Sequence, residues 1–392
     1  MRAIVLLGVS ALLGVLPLAC AETGGLGDAQ PSDDPGRNVL EGTDGGDGGD
    51  AGATESDGGC ADCAWFPASC SKGALCTLSV DALDPRTVLF AFDVHGDEVT
   101  AVGSYGSVVD FTSGAWRRSG VGAPDTLRGV ARLGGDVWAA SSVEEVFIRE
   151  ASGGVTGWTE HKAGGPTYYN WINLPVTALF SEPTGTWVWA TTATWCAPLY
   201  SSDGVGLVRL RRQPEWLELE TIIQNRPPMS TCLTMNALDG AGGTLWVAGD
   251  KGVLYKVTDL EASPPVVTLE RSETSRSLLG VWAEPTGHVF VVGKDGTVQH
   301  RPPGGVFAPL GEGVPPVAYH AVRGTSATDV WIAGEDATVM HYDGQRWTRV
   351  PIAGLGDRRP TLRAIAAIAP DRVWVAGDNV LLGLAREDGS TP

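Results

Sequence analysis

Cys60, Cys63, Cys70 and Cys76 crowd into "CADCAWFPASCSKGALC", where a Cys-x-x-Cys pair could serve three chemistries. Such a pair can chelate zinc, exchange electrons as a dithiol, or be consumed in disulfides. Cys196 and Cys232 lie far along the chain, and Cys20 ends an apolar run. The histidines are His95, His161, His288, His300, His320 and His341. His300 and His341 close the matching phrases "TVQH" and "TVMH", which marks them as features of a repeat rather than metal ligands. A Gly-x-Ser-x-Gly elbow, a zinc-protease helix and a phosphate loop are all missing, so no catalytic residue, metal or cofactor is assigned and an enzyme is not expected. The candidates for ligand contact are Tyr168, Tyr169, Asn170, Trp171, Trp195 and Arg226. Exposed aromatics beside amide and guanidinium groups suit sugar stacking or a peptide interface. The plain alternative is that the segments carrying them pack on themselves.

What the cysteines do depends on where the chain goes. "MRAIVLLGVSALLGVLPLAC" sets one arginine before an apolar stretch that ends at Pro17, Ala19 and Cys20. That is the pattern of a secretion signal, too short and too rich in Gly and Pro for a spanning helix. A cysteine directly after a small residue resembles the lipobox of bacterial lipoproteins, although Pro17 stands where that family prefers leucine. The resemblance implies removal of residues 1–19 and acylation of Cys20, a membrane anchor of several acyl chains. Ala21, where inner-membrane retention favours an acid, points to the outer membrane. In an exported protein disulfides are the expected fate of Cys60, Cys63, Cys70 and Cys76, and four cysteines leave three pairings open. Zinc and a redox Cys60–Cys63 pair are the lesser alternatives. Residues 20–59 read as a tether. The chain carries a formal charge of −18, and between Ala21 and Gly59 ten acids stand against the single Arg37. With so few apolar side chains that stretch cannot offset the entropy of ordering itself. Its "DGGDGGD" run lacks the apolar strand residues that Gly-Asp calcium repeats require. The acidity also argues against a nucleic-acid partner.

The elements that must position any site repeat along the chain. "VTAVG", "VWAAS", "VWATT", "LWVAG", "VFVVG", "VWIAG" and "VWVAG" end at Gly103, Ser141, Thr192, Gly249, Gly293, Gly334 and Gly377, spaced by 38, 51, 57, 44, 41 and 43 residues. Each phrase follows another short apolar run and precedes two more, so the unit has four strands. Four strands in about forty residues is the period of a propeller blade. The fold expected is all-β: a seven-bladed β-propeller of four-stranded antiparallel blades over 77–388, after a signal (1–19), a tether (20–59) and a Cys-rich segment (60–76). Blade seven ends without a closing aromatic, so "LCTLSV", from Leu75 to Val80, is assigned as the strand that shuts the ring. Trp116, Trp158, Trp216, Trp347 and Phe307 are expected to wedge between blades, and His320 on an innermost strand could line the channel. "YDGQ" at Tyr342 and "KDGT" at Lys294 suit tight hairpin turns.

The "DGQRW" phrase resembles a shortened Asp-box of the BNR and sialidase-type propellers, without the residue between Asp and Gly and without the preceding Ser or Thr. Over Val88 to Arg386 the repeat is similar to the photosystem-assembly and stress-factor propellers grouped with BNR-like repeats. Sialidase-type enzymes of this fold carry an Arg-Ile-Pro phrase that this chain lacks, and the tryptophan docking repeats of quinoprotein dehydrogenases are missing too. The resemblance implies a scaffold. The extended segments around blade three should crowd one face, and they bring Cys196 near Cys232 as an expected disulfide. The function expected is a monomeric, lipid-anchored envelope module holding a protein partner. The alternative is a carbohydrate-binding surface protein using the aromatic sector, or an enzyme acting on glycans.

Overall fold

Every copy of the repeated phrase is the second strand of a blade, and its last five residues are buried in all seven cases. A strand with both faces covered must be apolar throughout, which is why the phrase does not alternate. The computed structural model describes residues 62, 64–81, 83–143, 145–154, 156–162, 175–193, 204–225, 233–386 and 390–391. Six four-stranded sheets occupy 89–120, 127–162, 176–225, 235–270, 278–309 and 319–349, each with its strands in sequence order. The seventh sheet takes its inner three strands from 362–384. The expected seven-bladed all-β propeller is the fold.

The core is divided into seven layers, one at each junction between blades. Val102 and Val108 of blade one pack with Val137 and Phe147 of blade two. Trp374 and Leu381 of blade seven pack with Phe92 and Phe111 of blade one, which completes the circle. Four of the five aromatics expected as wedges lie in these layers or at their rims: Trp116, Trp158, Phe307 and Trp347. Trp116 meets Trp374 edge-on with ring centroids 5.8 Å apart, and Trp347 Nε1 donates to the Leu310 carbonyl at 2.7 Å. Trp216 is the exception. It is half-buried in the turn before Leu217–Asn225, and the fully buried Leu217 fills the layer in its place. The strand begins one residue later than the aromatic alignment implies.

The closing strand begins where the sequence placed it, but it spans only Leu75–Thr77 of the expected Leu75 to Val80. Leu75–Thr77 runs antiparallel to Val380–Leu384, with Leu75 opposite Leu384 and Thr77 opposite Leu382. Its other edge pairs parallel with Ile352–Ala353, a fifth strand that the repeat does not foretell. A Cys70–Cys76 disulfide ties the strand to the loop before it, which settles one pairing and removes both thiols from any zinc site. Cys60, Cys63, Cys196, Cys232 and Cys20 lie outside the described residues.

The turns differ in kind. Asp295 and Gly296 both have positive φ (55° and 68°), the two-residue turn expected for "KDGT". "YDGQ" instead opens a longer turn, in which Asp343 Oδ1 accepts from the backbone N–H groups of Gln345 and Arg346, both at 2.8 Å.

Candidate functional site

A β-bulge occurs in the first strand of every blade. The register with the second strand slips by one residue, leaving Phe90, Arg128, Thr177, Asn236, Leu279, His320 and Arg363 unpaired. The cause lies in the backbone just before each bulge. The carbonyls of Val88, Thr126, Pro175, Thr234, Ser277, Ala318 and Thr361 each accept a hydrogen bond from the residue that follows the second strand, at 2.8–3.0 Å. Five of the seven second strands end in glycine, and a Cβ there would lie 2.1–2.7 Å from that same carbonyl. The glycine of the repeated phrase is thus a close-approach residue. A bulge re-aims its extra side chain, and all seven extra residues line the central channel, half-buried at one mouth. His320 lines the channel as expected.

The channel encloses about 770 Å³. At the bulge mouth, the Arg128 guanidinium carbon lies 3.9 Å over the Phe90 ring and that of Arg363 lies 5.6 Å from it. Arg363 donates to Asp378 from two nitrogens, at 2.6 and 3.1 Å. Asn236 Nδ2 donates to Asp250 (3.2 Å) and to the Leu278 carbonyl (2.9 Å). The Thr177 hydroxyl donates to the Met235 carbonyl at 2.6 Å. Burial, reinforced by Arg363, lowers the His320 pKa.

Toward the other end, the same strands bring in Asp93, Arg132, Asp239 and Arg323. Asp239 accepts from Arg323 Nη1 at 3.0 Å and from the Ala283 N–H at 2.9 Å. Arg132 reaches Asp93 at 3.4 Å and Glu98 at 2.9 Å. Burial pushes both Asp93 and Asp239 above the usual carboxylate range, against the pull of the arginines. At this end three acids, Asp93, Glu98 and Asp239, face two arginines. The channel thus carries a mixed ring of side chains at one mouth and ion pairs at the other, of which Asp239–Arg323 is hydrogen-bonded and Asp93–Arg132 is a looser contact.

Of the residues expected from sequence to touch a ligand, Tyr168, Tyr169, Asn170, Trp171, Trp195 and Arg226 lie outside the described residues. The strands beside them are described. Val176–Ser181 begins, and Val188–Thr192 ends, at the bulge end of the channel. The bulge positions themselves were missed, although the first strands share a pattern of apolar, variable, Ala or Gly, apolar: "LFAF", "LRGV", "VTAL", "MNAL", "LLGV", "YHAV" and "LRAI". The variable position is the channel ring.

The paired histidines are indeed repeat features, with one difference between blades. His341 stacks on Trp331 (4.2 Å between centroids), and its Nε2 lies 2.6 Å from Asp329. Burial opposes ionisation of Asp329, but hydrogen bonds from His341, Thr325 and Trp331 hold its pKa below the usual range. In blade five His300 stacks on Phe290 in the same way, but His288 replaces the acid, with its Nδ1 2.8 Å from His300 Nε2. Burial, then the neighbouring His288, pushes His300 down to about 4. The folded value lies below the unfolded one, so the unfolded chain takes up the proton first. The stabilising effect is complete above about pH 6.5 and is lost as pH falls from there toward about 4. Because His300 is half-exposed the loss is discounted to about 1–2 kcal/mol. His288→Asp should restore the blade-six arrangement, raise the His300 pKa and flatten that acid limb. Proton NMR titration of His300, with urea melts at pH 5 and 7.5, checks it; an unmoved titration would refute the role given to His288.

Architecture and channel together define a seven-bladed β-propeller whose channel is ringed at one mouth by the seven bulge side chains. Solved propellers agree with the fold. The structure of YCF48 bound to D1 peptide superposes with a TM-score of 0.58 at 12% identity, covering 81% of this chain and 100% of that one. YCF48 from Cyanidioschyzon merolae gives 0.59 at 14%, over 81% and 100%. The streptogramin B lyase structure gives 0.58 at 13%, over 79% and 95%. At these identities the likeness shows the fold alone. No protein-family model matches the chain, and no curated protein matches it.

Proposed function

We propose that the chain is a lipid-anchored envelope protein whose propeller is a protein-interaction or assembly module, engaging its partner across the bulge mouth of the channel. One observation carries this reading. Around the ring the fold repeats its small and apolar positions, while the bulge side chains vary through Phe, Arg, Thr, Asn, Leu, His and Arg. The blade architecture leaves these positions free to differ, and a mixed set of aromatic, cationic, amide and apolar side chains suits a composite recognition surface. That one similar propeller was solved with a peptide supports a protein partner. The lipobox at Cys20 and the acidic tether support the envelope address. The anchor would hold the ring near a membrane while the tether lets it search.

The test uses the full chain in cells, with a photo-crosslinking residue placed at Leu279 in the ring or at Leu269, which is 65% exposed on the outer strand of blade four. Discrete protein adducts are expected from position 279 and not from 269. Cys20→Ser should release the protein from the membrane fraction. Adducts from neither position, together with binding on a glycan array, would favour the carbohydrate reading instead.

A further inference from the structure

We propose that Arg128, Phe90 and the Arg363–Asp378 pair form a carboxylate-binding pocket at the bulge mouth, which takes an acidic side chain or free C-terminus of a peptide partner. The inference rests on the reading of that mouth as the interaction face and names the chemistry it recognises.

The first argument is that among the described residues no acid contacts Arg128; Asp378 acts on it only through space. Other arginines pointing into the ring or the layers between blades are matched: Arg132 with Glu98, Arg149 with Asp110, Arg209 with Glu220, Arg323 with Asp239. Among the described residues Arg128 makes no hydrogen bond and no ion pair; its contact is the face of Phe90. The chain has 46 acids to 28 bases, so a lack of acids does not explain this. Stacking uses the flat face of a guanidinium and leaves its N–H edge free, the edge that grips a planar oxyanion with two parallel hydrogen bonds.

The second argument is how the neighbouring charges are engaged. Asp378 pairs with Arg363, burial keeps His320 toward its neutral form, and Asp250 and Glu335 are engaged by Asn236 and by backbone N–H groups, so Arg128 is left as a cation with no contacting acid. A monoanionic carboxylate matches it. A phosphate dianion would leave one charge in excess and face Asp378. Ala91 lies beside Phe90, while Ala237, Leu279 and Ala321 line the channel across the ring, and its volume far exceeds one carboxylate. Room beside such apolar side chains suits the rest of a peptide better than a free inorganic anion.

The experiment measures fluorescence anisotropy with the intact chain and three labelled octapeptides of Ala and Leu. One has a free C-terminal carboxylate, one is amidated, and one is amidated with a central Glu. Either acidic peptide should bind, and which one does tells the two carboxylate sources apart. Arg128→Gln should weaken that binding about tenfold or more, the usual effect of losing a charge-assisted hydrogen bond, without changing the melting temperature. Leu279→Ala, an uncharged change in the same ring, should keep the preference for the acidic over the neutral peptide. Equal binding of the amidated neutral peptide, indifference to Arg128→Gln, no binding by any peptide, or displacement by inorganic phosphate at lower concentration than by acetate would each overturn the pocket. Should Arg128→Gln lower the melting temperature, Arg128→Lys replaces it: a lysine keeps the charge but cannot make the two parallel bonds, so a weakened acidic peptide is again expected and unchanged binding refutes it. If crosslinks from position 279 persist in Arg128→Gln, the interaction module stands and the carboxylate pocket alone falls.

Discussion

Removing residues 60–80 should abolish cooperative unfolding, whereas removing residues 21–59 should leave the melting temperature within about 2 °C of the intact chain, since a stretch so acidic and so poor in apolar side chains has little surface to bury. The first deletion takes away the strand that shuts the ring. Leu75 is fully buried in the layer between blades six and seven, with Ile352, Leu362 and Leu384. Without it the whole of Val380–Leu384, buried at every residue, becomes an open sheet edge. The loss extends upstream, because the Trp65 carbonyl accepts from Ile352 N–H at 2.8 Å and Phe66 carries the Arg359 guanidinium at 3.5 Å. Each large apolar side chain so exposed forfeits about 1.5–3 kcal/mol. Several of them consume most of a domain's net stability of about 5–15 kcal/mol. Leu75→Ala gives a graded version and should cost about 2–5 kcal/mol. Scanning calorimetry of the two deletions decides the matter: equal melting would mean the ring closes by some other contact.

Closure was legible because a missing strand and a spare strand are both visible in a repeat. The second strands were legible for a related reason: burial on both faces leaves an uninterrupted apolar run, and seven runs in order are hard to produce otherwise. The ring of bulge residues was not recognised, although its pattern was present. A bulge arises when a carbonyl from one strand accepts from the residue after the next, and that contact is invisible until the register is known. In the sequence the glycine of "VWVAG" only marks the end of the phrase, whereas the structure shows a position at which a side chain would strike the Thr361 carbonyl. The shift from Trp216 to Leu217 has a similar origin. Spacing aligns residues by count, whereas the layer between blades selects whichever side chain the register turns inward. The parallel strand Ile352–Ala353 breaks the repeat altogether, and its two residues are too few to leave a periodic trace.

Asp110→Ala should destabilise the propeller by about 3–5 kcal/mol, the usual consequence of leaving one half of a buried ion pair uncompensated. Asp110 lies on the third strand of blade one and Arg149 on the third strand of blade two, so the pair bridges a junction between blades. Arg149 donates from both terminal nitrogens, at 2.7 and 2.9 Å, and the Thr100 hydroxyl donates to the same carboxylate at 2.8 Å. The side chains are 4% and 10% exposed, so removing the acid leaves the guanidinium largely desolvated. Arg149 also lies 4.9 Å over the Trp158 ring, one of the aromatics at the rim of that layer. Its cation is therefore held by two partners of unequal strength, and losing the carboxylate leaves only the weaker. Replacing both ions should be far milder. Asp110→Leu with Arg149→Met removes the desolvated charges together and fills the gap with apolar volume, so most of the single-mutant loss should be recovered. Urea melts of Asp110→Leu, Arg149→Met and the double variant give the coupling directly. A single-mutant cost below about 1 kcal/mol would place the pair among weak surface contacts. A double mutant no better than Asp110→Ala would assign the junction's stability to the packing around Thr100 and Trp158 rather than to the charge.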